Sequence, residues 1–165
     1  MYRKPVAFLD VDDEFPSLDF ATVGGTRMRV PDDLAGKWAA VLFYRGSWCG
    51  FCRQQLLNYE VHAELFKQMD IQIVAVSVDS LEKTLETVGK LGLTYPMGYG
   101  LDAKFISTQT GIYVAENPTY FQPAGFLLRP NGRILNAVYS SRSIGRLVAQ
   151  DVASLVSIVR SREGK

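Results

Sequence analysis

The chain has 165 residues and a formal net charge of +1; 47% of its residues are hydrophobic and 21% are charged. This composition is typical of a globular protein with one hydrophobic core, so we expect a single domain over residues 1–165. The near-zero net charge argues against binding to nucleic acid or to a membrane. The N-terminal apolar run is too short for a signal peptide or a spanning helix, which predicts a cytoplasmic location.

The first half of the chain is predicted to alternate strands and helices. Within residues 22–30 a Gly-Gly pair favours the turn of a β-hairpin. Residues 37–44 are predicted to form a buried strand, residues 51–69 one amphipathic helix and residues 71–78 a second buried strand. A strand–helix–strand unit of this kind is nearly always a right-handed parallel crossover.

The second half changes its pattern after two more helices. Pro-Asn-Gly between two strand-like runs predicts an antiparallel hairpin, because Asn-Gly supplies the positive φ angles of a tight turn. The predicted elements are a helix at 81–91, an extended segment at 94–97, a short helix at 102–110, hairpin strands at 124–129 and 133–139, and a last helix at 148–160.

Cys49 and Cys52, the two cysteines of the chain, lie in the sequence Ser-Trp-Cys-Gly-Phe-Cys directly after the first buried strand. Two intervening residues at the start of a helix let the sulfurs meet, and the helix N-terminus favours a thiolate. A thiolate attacks disulfides and peroxides, so we predict a redox-active pair. Zinc sites usually need four ligands, whereas the only histidine, His62, lies far along the predicted helix. We therefore predict no metal and no other cofactor.

This element order, with a C-x-x-C pair at the first crossover helix, resembles the thioredoxin fold, and most closely its peroxiredoxin-like branch. The resemblance implies an α/β fold with a central mixed β-sheet flanked by helices, an N-terminal β-hairpin and a peroxiredoxin-type insertion before the second hairpin. The segments that carry it are Asp-Leu-Ala-Gly-Lys at 33–37, Phe-Tyr-Arg-Gly-Ser-Trp-Cys at 43–49, Val-Ser-Val-Asp-Ser at 76–80, and Phe-Leu-Leu-Arg-Pro-Asn-Gly-Arg-Ile at 126–134.

The chain departs from the peroxiredoxin pattern at the peroxide site. Peroxiredoxins carry P-x-x-x-T-x-x-C after this strand, and here Arg45 stands at the proline, Cys49 at the threonine and Cys52 at the peroxidatic cysteine. Pro123 stands where the family's R-x-x-F pattern has its arginine. Peroxide cleavage needs donors aimed at the oxygens as charge develops, so these losses weaken it. Arg45 is expected to replace the missing donors in part, as a substrate-binding residue.

Two other residues match disulfide reductases of the thioredoxin type. These proteins have a tryptophan before the first cysteine and a cis-proline before the third strand, and the matching residues here are Trp48 and Pro123. The resemblance therefore implies that both residues bind substrate. It also implies a cis Gln122–Pro123 bond beside the sulfurs, which would shape a surface for a substrate backbone.

Three functions follow from this resemblance. In the leading hypothesis, a thiol-disulfide oxidoreductase, Cys49 is the exposed nucleophile and Cys52 resolves the mixed disulfide. In a thiol-dependent peroxidase, an antioxidant enzyme, Cys52 becomes a sulfenic acid and Cys49 resolves it. The third is a non-catalytic binding protein that responds to the disulfide. The enzymes would act on a protein or small-molecule disulfide, or on a peroxide, and both need an external thiol reductant.

The remaining candidate residues lie outside this motif. Arg142 and Arg146 follow the last predicted strand, from which a side chain can reach the rim of the site. Cationic residues before a C-terminal helix are usually solvated, so we expect them to be surface charges. Three further hydrophobic residues are expected to line a hydrophobic rim or a homodimer contact: Phe105, Ile106 and Tyr113.

Overall fold

The structure is a computed structural model, and it describes residues 8–164. The start of the chain, on which the expected lack of a signal peptide depends, lies outside this range. Within it, no helix combines the length and the hydropathy that a membrane-spanning segment requires.

Strands and helices alternate along the chain until a final hairpin and helix. The strands are β1 (Leu18–Thr22), β2 (Arg27–Val30), β3 (Trp38–Phe43), β4 (Ile71–Val76), β5 (Met97–Tyr99), β6 (Val114–Ala115), β7 (Tyr120–Phe121), β8 (Ala124–Leu128) and β9 (Ile134–Tyr139). The helices are α1 (Gly50–Val61), α2 (Ala63–Gln68), α3 (Leu81–Leu91), α4 (Ala103–Thr110) and α5 (Ala149–Arg162).

Seven of these strands form one mixed sheet in the order β2-β1-β5-β4-β3-β8-β9. The central strand β3 pairs in parallel with β4 and antiparallel with β8, and both predicted hairpins are present as β1–β2 and β8–β9. The strands β6 and β7 form a separate small hairpin. The predicted α/β thioredoxin-like class is confirmed.

The core lies on both faces of this sheet because every residue of β3 is buried. Alternate side chains point to opposite faces of a strand. Accordingly Val41 and Phe43 pack into one apolar cluster, whereas Leu42 and the following Tyr44 pack into the other, together with both cysteines. Burial of each such large side chain contributes about 1.5–3 kcal/mol. The thiols are therefore part of a packed core and lie at its edge.

Side chains cap the N-termini of two helices. Side-chain oxygens of Ser80 and Asp102 accept hydrogen bonds from the first turns of α3 and α4. Both helices end at a glycine in the left-handed conformation, Gly92 and Gly111. These short-range signals place the two helices as the sequence predicts.

The prediction of one helix over residues 51–69 is wrong, because the helix breaks at His62 into α1 and α2. An uninterrupted helix would bond the His62 amide to the carbonyl of Asn58. That carbonyl instead lies 2.8 Å from His62 Nδ1, and the amide bonds to the carbonyl of Tyr59 at 3.1 Å. The histidine side chain thus occupies the acceptor that the helix needs to continue.

Candidate active site

The turn after β3 delivers the cysteine pair and is fixed on two sides. Ser47 N donates a hydrogen bond of 2.8 Å to Oδ2 of Asp79, which follows β4. A Cβ atom on Gly46 would lie 2.4 Å from Nε1 of Trp48, so the indole needs glycine beneath it. Since real Cβ atoms do not lie so close to another side chain, the Trp48 ring can take this position only with glycine at residue 46. The turn before Cys49 is thereby fixed.

Cys49 is the N-cap residue of α1, and Cys52 lies in its first turn. The backbone at Cys49 is extended, with φ of −90° and ψ of 114°, and its Sγ accepts a hydrogen bond of 3.2 Å from Cys52 N. The unpaired amides and the dipole of a helix N-terminus stabilise negative charge. Both cysteines are free thiols, and they meet at the helix start that the sequence predicts.

Two arginines approach the sulfurs. Arg146, from the loop between β9 and α5, places Nη2 3.3 Å from Sγ of Cys52 and 3.7 Å from Sγ of Cys49. Arg45 donates its backbone N–H to Sγ of Cys52 at 3.4 Å and places Nη1 3.9 Å from Sγ of Cys49. The expectation that Arg146 is a solvated surface charge is wrong; the exposed Arg142 fits that description.

Side chains of α1 hold the Arg146 loop in place. Gln55 accepts a hydrogen bond of 2.8 Å from Nη1 of Arg146 and donates one of 3.1 Å to the carbonyl of Leu147. The Tyr59 hydroxyl donates to that same carbonyl at 2.8 Å. Gly125 in β8 permits this approach, since a Cβ there would lie 2.7 Å from Cβ of Leu147. The guanidinium is thereby positioned by buried polar contacts.

The two thiols differ in acidity and exposure. Burial acts to raise the pKa of Cys49, but hydrogen bonds from Cys52 and the charges of Arg146 and Arg45 outweigh it, so this pKa lies below the ordinary thiol value. Burial, together with the hydrogen bond to Cys49, raises the pKa of Cys52 despite the nearby Arg146. Cys49 is 4% exposed and Cys52 is 0% exposed. Of the two thiols, Cys49 is therefore the more acidic.

An aromatic wall borders the site on the Arg45 side. The guanidinium carbon of Arg45 lies 4.8 Å from the ring centroid of Trp48 and 5.4 Å from that of Tyr120. The two rings meet edge to face at 5.0 Å, and Nη2 of Arg45 donates to the Tyr120 hydroxyl at 3.3 Å. Trp48 remains 53% exposed. The structure thus brings the expected residues Arg45 and Trp48 together beside Cys49.

Tyr120 escaped prediction because it comes from the unpredicted β6–β7 hairpin, whose two-residue strands are too short to show a pattern. The position of Arg146 near the cysteines could have been inferred from the order of the strands. Phe43 and Tyr139 both pair with Ala124, so β3 and β9 end at the same edge of the sheet. Residues that follow β9 must therefore emerge beside the cysteines.

The expected cis Gln122–Pro123 bond is wrong. Among the described residues the cis bonds precede Pro31 and Pro118, so Pro123 follows a trans bond. Pro123 is buried at the start of β8, whose first residue already pairs with Phe43. A trans proline commonly opens a strand in this way. A substrate-binding role for Pro123 stays a prediction.

The other expected positions are spread over the fold. Phe105 is 59% exposed and borders a cavity of about 470 Å³ against β1. Ile106 is 5% exposed and packs in the core, and it also lines this cavity. His62 lies at the far end of α1 from the cysteines. Within residues 8–164, no three His, Cys, Asp or Glu side chains converge on a metal site.

A C-x-x-C pair at the start of the first helix of a mixed α/β sheet, beside two arginines, is an arrangement typical of the thioredoxin-fold class. The chain belongs to the AhpC/TSA family, whose model matches residues 11–137. It is similar to a peroxiredoxin of Treponema denticola, with 24% identity over 93% of this chain and 75% of the relative. A peroxiredoxin of Thermotoga maritima is 22% identical over 93% of this chain and 73% of its own length.

Solved structures share this fold. Mycobacterium tuberculosis AhpC superposes with a TM-score of 0.79 and 21% identity over 95% of this chain and 96% of its own. The peroxidoxin BcpB of the same organism has a TM-score of 0.75 and 15% identity over 95% of this chain and 99% of its own. The expected peroxiredoxin-like branch is confirmed, and the protein is an enzyme of the peroxiredoxin type.

Proposed function

We propose that the protein is a thiol-dependent peroxidase that cycles through a Cys49–Cys52 disulfide. The observation that carries this proposal is the guanidinium of Arg146, which is 3.3 Å and 3.7 Å from the two sulfurs. It supplies a positive charge to a site in which this chain lacks the threonine and the arginine of the family motif. One donor aimed at developing charge is worth about 3 kcal/mol of barrier.

The first nucleophile in this proposal is Cys49. Its thiolate attacks one peroxide oxygen, the O–O bond breaks, and the leaving hydroxide or alkoxide takes a proton to become water or an alcohol. Cys49 is then a sulfenic acid. This order reverses the roles that the motif overlay suggests for a peroxidase, because Cys52 is fully buried and has a raised pKa, whereas the pKa of Cys49 is lowered.

Resolution follows within the same helical turn. The Cys52 sulfur attacks the sulfur of the Cys49 sulfenic acid, an S–S bond forms, and hydroxide leaves with the Cys52 proton as water. Both sulfurs lie within one turn at the start of α1, so this step needs no unfolding of the helix. Reduction of the disulfide by an external thiol completes the cycle.

Disulfide exchange is the second candidate function, and the lowered pKa of Cys49 at the helix N-cap favours it. There Cys49 would attack a substrate disulfide and Cys52 would release the product. The trans bond before Pro123 removes one of the arguments for this alternative. Both functions use the same sulfurs, and they differ in the oxidant consumed.

Single-cysteine variants test these proposals. Reduced wild-type protein, Cys49→Ser and Cys52→Ser are each exposed to hydrogen peroxide or to a small disulfide, and peroxide loss, disulfide loss and trapped sulfenic acid are measured. We expect Cys52→Ser to accumulate a sulfenic acid on Cys49, and Cys49→Ser to react at least about tenfold more slowly. A sulfenic acid that forms only in Cys49→Ser would assign the first step to Cys52. Turnover of disulfide without peroxide would favour the second function.

A further inference from the structure

The sulfur of Cys49 lies between two guanidinium groups that no carboxylate neutralises. Nη1 of Arg45 is 3.9 Å from this sulfur and Nη2 of Arg146 is 3.7 Å from it. In the part of the chain that the structure describes, neither arginine forms an ion pair with an aspartate or a glutamate. When Cys49 ionises, its thiolate therefore faces two positive charges.

Formation of the disulfide removes the one negative charge. Both sulfurs are then neutral, while Arg45 and Arg146 stay charged at any ordinary pH. The oxidised site consequently carries two positive charges close together beside the disulfide. Such an arrangement favours the binding of an anion.

The side chain of Arg45 is already positioned to bind such an anion. Its guanidinium packs against the rings of Trp48 and Tyr120, and Nη2 bonds to the Tyr120 hydroxyl. Its Nε is buried and has no hydrogen-bond partner among the described residues. Little side-chain entropy remains to be lost on binding, and the hydrogen-bonding capacity of the guanidinium is not exhausted by the protein.

We propose that the thiol that reduces the Cys49–Cys52 disulfide is a small molecule carrying a carboxylate, which docks on Arg45 beside Trp48. This inference rests on the proposed function, since it names the reductant of that cycle. A small molecule fits better than the folded surface of another protein, because only 4% of Cys49 is exposed. Cys52 is 0% exposed, so attack falls on Cys49.

The chemistry uses two equivalents of the thiol. The first thiolate attacks Sγ of Cys49, the Cys49–Cys52 bond breaks, and Cys52 leaves as a thiolate that accepts a proton. Arg146 Nη2 at 3.3 Å and the Arg45 amide at 3.4 Å stabilise that leaving group. A second thiolate attacks the small-molecule sulfur of the mixed disulfide and releases Cys49. Two thiols are oxidised to one disulfide, and the protein disulfide gains two electrons and two protons.

The test is a matched series of thiols reacting with the oxidised protein. We compare 3-mercaptopropionate, 2-mercaptoethanol and cysteamine, whose second groups are anionic, neutral and cationic, and express each rate constant per thiolate. The anionic thiol is expected to react about fivefold faster than the neutral one, and the cationic thiol more slowly than both. This ranking should collapse in about 1 M salt, where the screening length is about 3 Å.

Variants identify the residue responsible. Arg45→Met should remove the preference for the anionic thiol, whereas Arg142→Met, which alters an exposed arginine of the Arg146 loop, should keep it. Equal rate constants across the three thiols on the wild-type protein would overturn the inference, as would a preference that survives Arg45→Met. The wild-type series stands even if Arg45→Met fails to fold. Oxidation of the reduced protein by peroxide is measured separately, so failure here is distinct from failure of the proposed peroxidase.

Discussion

Replacement of Arg146 by methionine should deprive Cys49 of much of its thiolate. Nη2 of Arg146 lies 3.7 Å from Sγ of Cys49. Two unit charges at that separation attract by roughly 4 kcal/mol at an effective dielectric constant of about 20. The charge of a guanidinium is spread over three nitrogens and Arg45 keeps part of the field, so about half of this, ~2 kcal/mol, is lost. Below the pKa, that loss reduces the thiolate population about 30-fold.

The assay is alkylation of the reduced protein by iodoacetamide as a function of pH, in a Cys52→Ser background that isolates Cys49. Arg146→Met should slow alkylation about 30-fold at pH values below the pKa that Cys49 has in the presence of Arg146, and it should move the midpoint of the profile to higher pH. Arg146→Lys should fall between, because it keeps the charge and loses the planar fork. Arg142→Met is the matched control. An unchanged profile in Arg146→Met would refute the assignment of Arg146 to the thiolate.

Two further substitutions probe the turn that precedes Cys49. Gly46→Ala pushes a methyl group into the Trp48 indole, so it should lower the free energy of unfolding by about 1–3 kcal/mol and change the tryptophan fluorescence. The control Gly89→Ala, which has open space around it in α3, should raise the free energy of unfolding by up to about 1 kcal/mol. Equal effects of the two substitutions in denaturant titrations would contradict this reasoning. Burial raises the pKa of Asp79 in the folded protein, and the opposing effects of Ser47 N and Lys83 do not cancel it. Protonated Asp79 therefore stabilises the fold fully below the ordinary pKa of 3.8, and this stabilisation is lost as the pH rises through the pKa of the folded protein. Asp79→Asn should therefore gain stability relative to wild type between about pH 3 and about pH 7 in urea titrations, and a constant difference would show that the buried charge is not responsible.

The sequence predicts those parts of the fold that local chemistry decides. Turn sequences with glycine predicted both hairpins, the helices α3 and α4 lie where the sequence predicts them, and the C-x-x-C spacing placed the sulfurs at a helix start. The break at His62 depends on one side chain competing for the carbonyl of Asn58, which no periodicity reveals. Tyr120 and Arg146 reach the site from distant parts of the chain, so their roles depend on packing that a single sequence does not display.

These distant residues explain how the chain can lack the family's threonine and arginine and still favour a thiolate. The peroxiredoxin pattern supplies positive charge from the residue that here is Pro123, at the start of β8. In this protein Arg146 supplies it from the loop after β9, which Gln55 and Tyr59 tie to α1. Because the same guanidinium contacts both sulfurs, it can stabilise whichever one carries the charge at each step. In the proposed cycle Cys49, where the motif has threonine, is then the nucleophile, and Cys52, where the motif has its peroxidatic cysteine, provides the resolving thiol within the same helical turn.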